Sequence, residues 1–153
     1  MKTTRFKKVL IALDYDQSSQ KVAEVGYSIG QSLQAEVILL HVISELPVYY
    51  SAYTYAHEFK VDMLDDLKAS TLKFLNKVKR HLGDEEVKMM IKEGEVAESI
   101  LSLSKEMDID VVVMGSHSRK WLEDILMGSE AEDVLKHTQI PLLIIPTNEK
   151  LKQ

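Results

Sequence analysis

Five short segments with the composition of buried strands constrain this fold more than any other feature of the chain. The first covers residues 8–13, is followed by Asp14, and contains no residue that favours a turn. Similar segments occur at residues 36–42, 87–92, 111–114 and 141–146. Apolar runs of this length are typical of strands buried on both faces, and the segment at residues 87–92 shows the alternation of a half-buried strand.

The stretches between these strands carry helical periodicity. After a polar turn, apolar and small residues recur at the spacing of one helix face: Val22, Val25, Gly26, Ile29 and Leu33. The longest predicted helix covers residues 58–82, with Gly83 as its C-terminal cap, and shorter helices begin near residues 96 and 129. Strands that alternate with helices predict an α/β fold with a doubly wound parallel sheet, whose ligands bind beyond the carboxyl ends of the strands.

Composition narrows the range of functions. The 153 residues suffice for one domain, which we predict at residues 1–147, with a frayed tail at residues 148–153. The absence of cysteine excludes disulfides and thiolate sites. A net charge of −5 gives no electrostatic reason to bind nucleic acid or an anionic membrane, and no apolar run reaches the ~18 residues of a membrane span. A cytoplasmic location is therefore the default expectation.

The loop after the fourth strand is the best candidate for a functional site. Gly115 ends the strand, and Gly128 and Ser129 open the following helix. Glycine lets the backbone approach a phosphate closely, and a helix N-terminus offers unpaired N–H groups to an anion. Hydroxyl and basic side chains add donors between these ends: Ser116, Ser118, Arg119 and Lys120. The loop therefore predicts a polyphosphate site.

A purely structural interpretation of the same loop stays open. Ser129 followed by Glu132 has the spacing of a capping box, in which the two side chains satisfy backbone N–H groups at the start of the helix. Gly115 would then end a strand, and Gly128 would serve a turn. The loop also lacks a complete phosphate-binding signature of the Walker A or G-x-G-x-x-G type.

The spacing of this loop resembles the nucleotide-binding motif of the universal stress protein family, G-x2-G-x9-G-[ST]. Gly115 takes the first position, Ser118 the second, and nine residues precede Gly128 and Ser129. The resemblance extends over nearly the whole chain, through the segments at residues 11–14, 41–42, 93–94, 111–117 and 141–146. On these motifs the chain is identified as a member of the branch of that family that carries the ATP-binding motif.

The resemblance implies a fold and an assembly. It implies an open Rossmann-like sheet of five parallel strands in the order 3-2-1-4-5, with helices on both faces. Asp14 and Gly115 would then face each other across the crevice where the strand order reverses. It also implies a homodimer paired through the last strand, residues 141–146, which carries Pro141 and Pro146 at its ends. The implied ligand is ATP or AMP, with or without Mg²⁺.

The resemblance also implies roles for individual residues. The residues at 12–14 would line the adenine and ribose end, and Val42 would present backbone groups to the adenine edge. Met114 and Gly115 would flank the ribose and the first phosphate, and the loop residues together with the helix start would hold the phosphates. The expected binding residues are Ala12, Leu13, Asp14, Val42, Met114, Gly115, Ser116, His117, Ser118, Arg119, Met127, Gly128, Ser129, Glu130 and Ala131. Asp14 also fits the simpler role of a turn residue before a helix.

Two residues depart from the family pattern. Ser118 replaces the second glycine, so the backbone there takes an ordinary conformation or bears the cost of a positive φ. Glu130 places a carboxylate in the first helical turn, which suits the helix dipole and repels a triphosphate if it points inward. This favours fewer phosphates or a triphosphate bridged by a metal.

Catalysis has little support in the sequence. No pair of residues forms a recognisable nucleophile and base, and the five histidines lack the spacing of zinc ligands. His117 lies in the candidate loop, where it could contact phosphate or transfer a proton, or simply be solvated. We expect slow ATP hydrolysis at most. Asp14 and Asp16 are the carboxylates that could hold a metal, and the metal site stays unknown.

The sequence therefore supports two functions from different classes. The first is an adenine-nucleotide sensor in the stress response, which signals to a protein partner not identified by the sequence. The second is a nucleotide-free dimeric scaffold of the same fold, which Ser118 and Glu130 favour. A segment at residues 44–57 with four of the six tyrosines is either a functional lid or an exposed loop packed on its own base.

Overall fold

Five parallel strands form a single sheet in the computed structural model, which describes residues 5–44, 56–116 and 127–147. In chain order they are β1 (Lys8–Ala12), β2 (Glu36–Ile43), β3 (Lys88–Glu93), β4 (Val111–Gly115) and β5 (Leu142–Ile145). Their order across the sheet is β3-β2-β1-β4-β5. The predicted α/β class, the doubly wound topology and the strand order are confirmed.

In the part of the chain that the structure describes, four helices cover the two faces of the sheet. They are α1 (Ser19–Ser32), α2 (Ala56–Leu82), α3 (Val96–Glu106) and α4 (Ser129–His137). The core between the sheet and α1 and α2 contains Ile11, Leu39 and Leu75, all fully buried. The core on the other face contains Leu40 from β2, Ile100 from α3 and Val134 from α4. Buried strands with apolar residues on both faces explain why their runs are nearly continuous in the sequence.

Several predicted boundaries need correction. The helix expected at residues 58–82 begins at Ala56, so the last two residues of the predicted segment 44–57 are helical. The third strand covers Lys88–Glu93, one residue later than predicted, because Ile43 at the end of β2 pairs with Glu93. Gly83 has a φ of 71° after α2, as a C-terminal cap requires. The tyrosines of residues 44–57 and the tail at 148–153 lie outside the described residues.

The strand order reverses between β1 and β4. Ile11 of β1 pairs with Leu39 of β2 on one side and with Val113 of β4 on the other. The connections therefore leave β1 and β4 toward opposite edges of the sheet. A crevice opens at the carboxyl ends of these two strands, as the topology predicts.

No helix of the described residues is long and apolar enough to cross a membrane.

Tyr27 of α1 ties this helix to the turn after α2. Its hydroxyl donates to Asp84 Oδ2 at 2.8 Å, and Asp84 Oδ1 accepts from the backbone N–H of Glu86 at 2.9 Å. The hydrogen bond from Tyr27 lowers the pKa of Asp84 below its ordinary value of 3.8, with help from the Glu86 N–H. The same bond raises the pKa of Tyr27 above its ordinary value of 10.0.

We expect Tyr27→Phe to lower the melting temperature at neutral pH, and to lower it less in acid. A carboxyl group with a lowered pKa stabilises the fold above 3.8, and this contribution disappears as the pH falls through the folded-state pKa. A raised tyrosine pKa stabilises the fold below 10.0 and is lost as the pH rises through its folded-state value. Thermal melts across this range, with Ser28→Ala on the exposed face of α1 as control, measure the difference. A difference that stays constant down to strong acid contradicts the prediction.

Candidate functional site

An open cleft lies at the carboxyl ends of β1 and β4, between the sheet and the N-terminal ends of α3 and α4. It encloses about 420 Å³ of empty space, part of which is open to solvent. The residues that line it come from both halves of the sheet: Ala12, Leu13, Asp14, Leu40, Val42, Val96, Ile100, Met114, Gly115, Glu130 and Ala131. The cleft therefore occupies the switch point of the fold.

The floor of the cleft is apolar. Ala12, Val42 and Met114 stand at the ends of three adjacent strands, on the face that packs against α3 and α4. Val96 and Ile100 in the first turns of α3 cover the same space from above. An apolar slot between a sheet and a helix suits the flat face of an aromatic base.

The start of α4 forms one wall of the cleft. Gly128 is the N-cap, with φ −71° and ψ 160°, and its carbonyl accepts the first helical hydrogen bond, from Glu132 N at 3.0 Å. The capping box predicted from Ser129 and Glu132 is wrong, because Ser129 is already the first helical residue. Glu130 and Ala131 of this first turn line the cleft. The N-terminal end of α4, with its positive dipole, therefore lies beside the cleft.

The opposite wall is the turn after β1. The backbone N–H of Leu13 donates to the carbonyl of Leu40 at 2.8 Å, which extends the strand pairing by one residue. Asp14 follows, half-buried, and lines the cleft. Asp16 Oδ1 then accepts from Ser18 N at 2.8 Å and from Ser18 Oγ at 2.6 Å, just before α1. The turn carries Asp14 to the cleft while Asp16 orders the start of the helix.

Gly115 and Ser116 at the end of β4 have structural partners outside the cleft. A Cβ atom on Gly115 would lie 3.0 Å from Val22 Cγ2 and 3.1 Å from Thr147 Cγ2, so α1 and Thr147 approach it closely. Ser116 is 7% exposed, and its Oγ accepts from Thr147 N at 2.9 Å. Packing thus accounts for the glycine, whereas the sequence had pointed to the close approach of a phosphate.

The structure brings together eight of the residues predicted to bind: Ala12, Leu13, Asp14, Val42, Met114, Gly115, Glu130 and Ala131. Ser116, Met127, Gly128 and Ser129 are described but do not line the cleft. His117, Ser118 and Arg119 lie outside the described residues. The sequence reasoning missed Leu40, Val96 and Ile100. A signal was available for Val96 and Ile100, since the helix after the third strand must begin at the same end of the sheet.

Two carboxylates give the cleft its charge. Asp14 and Glu130 both line it, from opposite walls. Carboxylates accept hydrogen bonds from sugar hydroxyls and from the amino group of a base. Among the described residues, no group of three or more histidine, aspartate or glutamate side chains is arranged to hold a metal ion. The cleft combines an apolar floor, two acceptors and a helix N-terminus.

Similarity to known proteins shows the family of this chain. The model of the Universal stress protein family matches residues 5–146, nearly the whole chain. The chain belongs to the universal stress protein family. The sequence is 30% identical over 146 residues to universal stress protein YxiE of Bacillus subtilis, covering 92% of this chain and 99% of that protein. The resemblance predicted from the loop motif is therefore confirmed.

Solved structures agree with this membership. This universal stress protein is 28% identical over 154 residues to MJ0577 of Methanocaldococcus jannaschii, covering 92% of this chain and 94% of that protein. The solved structure of MJ0577 superposes with a TM-score of 0.76 at 26% identity, covering 95% of this chain and 99% of that one. A universal stress protein solved in complex with cAMP has a TM-score of 0.68 at 16% identity, covering 95% and 100% of the two chains. The last comparison supports the fold alone.

Proposed function

We propose that this universal stress protein binds an adenine nucleotide, ATP or AMP, in the cleft and acts as a sensor in the stress response. One observation carries the proposal: eight residues that the family resemblance assigns to the nucleotide line a single cleft at the switch point of the sheet. The base would lie on the apolar floor formed by Val42 and Met114. The phosphates would lie toward the N-terminus of α4, where the helix dipole favours an anion.

Each part of the cleft has a matching part of the ligand. Asp14 is an acceptor for a ribose hydroxyl, and the backbone of Leu13 and Val42 borders the slot for the base. The first turn of α4, in which Glu130 and Ala131 line the cleft, offers N–H groups at the phosphate end. A family member solved with cAMP gives a precedent for an adenine nucleotide on this fold. The residues present therefore fit the proposed ligand.

Calorimetric titration of the nucleotide-stripped protein tests the proposal. ATP with Mg²⁺, ATP with a chelator, and AMP are titrated separately, and micromolar binding of at least one is expected. GTP serves as the control for recognition of the base. No heat and no competition up to millimolar nucleotide would overturn the proposal and leave the scaffold function in its place.

Glu130 is expected to set how many phosphates the cleft accepts. Its carboxylate lines the cleft in the first turn of α4, where each further phosphate adds repulsion. We expect Glu130→Gln to raise the affinity for metal-free ATP about fivefold and the affinity for AMP less. Glu132→Gln removes an exposed charge from the same helix turn and is the matched control. Equal changes for ATP and AMP would contradict this role.

The alternative function, a nucleotide-free dimeric scaffold, is supported by the strand at the edge of the sheet. β5 is an edge strand, and Leu142, Leu143 and Ile144 are half-buried there. Pro141 and Pro146 flank the strand and limit pairing to its four residues. We propose that two copies pair through this edge. Light scattering at micromolar concentration should give twice the mass of the chain, and a monomer would contradict the pairing.

A further inference from the structure

We propose that His41 is a positioning residue for the cleft, which holds the backbone from which Asp14 reaches the ligand. His41 lies in β2, on the face of the sheet opposite the apolar floor. Its Nδ1 lies 2.7 Å from the carbonyl oxygen of Leu13. The consequence for binding rests on the proposed function, while the contact itself can be tested without a ligand.

The direction of this hydrogen bond is fixed by chemistry. A carbonyl oxygen only accepts, so His41 Nδ1 must carry the proton that it shares with Leu13. A neutral imidazole ring is then held as the Nδ1–H tautomer, with Nε2 as an acceptor. The N–H of Leu13 is also engaged, by the carbonyl of Leu40 at 2.8 Å. Leu40 and His41 of β2 therefore bond the N–H and the carbonyl of Leu13, its two backbone polar groups.

The side chains around Asp14 alternate between the two faces of the sheet. Leu13 is buried in the core next to α1 and α2, and Asp14 lines the cleft on the other face. Tyr15 returns to the first face, where its ring centroid lies 4.7 Å from that of Phe74 and 6.2 Å from that of His41. His41 thus contacts the residues on both sides of Asp14. Because His41 contacts both Leu13 and Tyr15, the backbone position of Asp14 between them is restricted.

Packing alone does not require a histidine here. The ring of His41 lies with its edge toward Phe74, at a centroid distance of 6.3 Å, a contact that another aromatic ring would make equally well. What an apolar ring would lack is the donor to Leu13. A carbonyl that loses its donor frees the adjoining peptide to rotate. A purely structural role therefore predicts that phenylalanine replaces His41 without loss of binding.

Three variants separate these roles. His41→Phe keeps an aromatic ring and removes the donor. His41→Asn removes the ring and keeps a donor, because its amide nitrogen is as many bonds from Cα as Nδ1 is. His81→Phe is the matched control, since His81 Nδ1 also contacts a backbone carbonyl, that of Lys77 at 2.7 Å, on the exposed surface of α2.

We expect His41→Phe to lower nucleotide affinity about tenfold and His41→Asn to stay within about threefold of the unchanged protein. His81→Phe should bind like the unchanged protein. Affinity that is equal in His41→Phe and the unchanged protein would overturn the inference. Rescue by asparagine is the result that a purely structural role of the ring does not predict.

Nuclear magnetic resonance of the ligand-free protein gives the second readout. Long-range ¹H–¹⁵N spectra of the neutral ring should show the Nδ1–H tautomer for His41. The carbonyl carbon of Leu13 should shift upfield in His41→Phe and return in His41→Asn, because a lost hydrogen bond increases its shielding. A dominant Nε2–H tautomer overturns the inference, even if His41→Phe does not fold. If no nucleotide binds, the proposed function fails, and this spectrum alone decides whether His41 holds Leu13.

Discussion

Gly128→Asp should weaken ATP binding about 100-fold. Aspartate is among the best N-cap residues, and the φ of −71° and ψ of 160° at Gly128 are ordinary for a side chain at this position. Its carboxylate would accept from the N–H groups at the start of α4 and occupy the place proposed for the phosphates. Repulsion between close like charges near a protein surface amounts to about 3 kcal/mol, which corresponds to this loss.

Gly128→Asn is the matched control for that experiment. Asparagine has nearly the same shape and caps a helix as well as aspartate does, but it carries no charge. We expect it to lower ATP affinity about threefold at most. Thermal melting should show both variants folded, and calorimetry should separate them. Equal affinities of the two variants for ATP would show that no phosphate binds at the start of α4.

Gly30→Ala should destabilise the protein by about 1–2 kcal/mol, the largest effect expected on the fold. A Cβ atom at this position of α1 would lie 2.4 Å from Val37 Cγ2. Val37 is 6% exposed and β-branched, so it has few ways to move aside. Overpacking of this kind costs about 1–3 kcal/mol, and the gain of about 1 kcal/mol that alanine brings to an exposed helix position offsets only part of it.

Urea unfolding of the unchanged protein, Gly30→Ala, Val37→Ala and the double variant measures the contact between these two positions. Val37→Ala removes the methyl group that Gly30→Ala would meet, so the double variant should be more stable than the sum of the two single losses predicts. Ser28→Ala, on the exposed face of α1, should change the free energy of unfolding by less than about 0.5 kcal/mol. Additive losses for Gly30→Ala and Val37→Ala would mean that the helix shifts away rather than clashing with Val37.

The sequence predicts the strands and helices well because a parallel sheet covered by helices on both faces requires nearly continuous apolar strands. Residues such as Ile11 and Leu39 must be apolar wherever a strand is covered on both faces, and this requirement is visible in the sequence. The position of the cleft follows from the strand order. The strand order came from the resemblance to the family, because periodicity alone does not tell which strands are neighbours.

The details that the sequence misses depend on single positions or on distant contacts. A Gly-Ser pair before a helix allows either residue to be the N-cap, and a shift of one residue turns the predicted capping box at Ser129 into an ordinary helical turn. The bond between Ser116 and Thr147 joins residues 31 positions apart, for which no local pattern exists. His41 has the signature of a strand residue, and its hydrogen bond to Leu13 appears only once β1 and β2 are paired.

The alternation at residues 13–15 places neighbouring side chains on opposite faces of the sheet. Asp14 borders the cleft, whereas Tyr15, the next residue, is 59% exposed on the far side of the sheet. Adjacent residues of one short segment therefore face the cleft and the opposite surface. The turn after β1 therefore joins the cleft to the opposite surface over a distance of one residue.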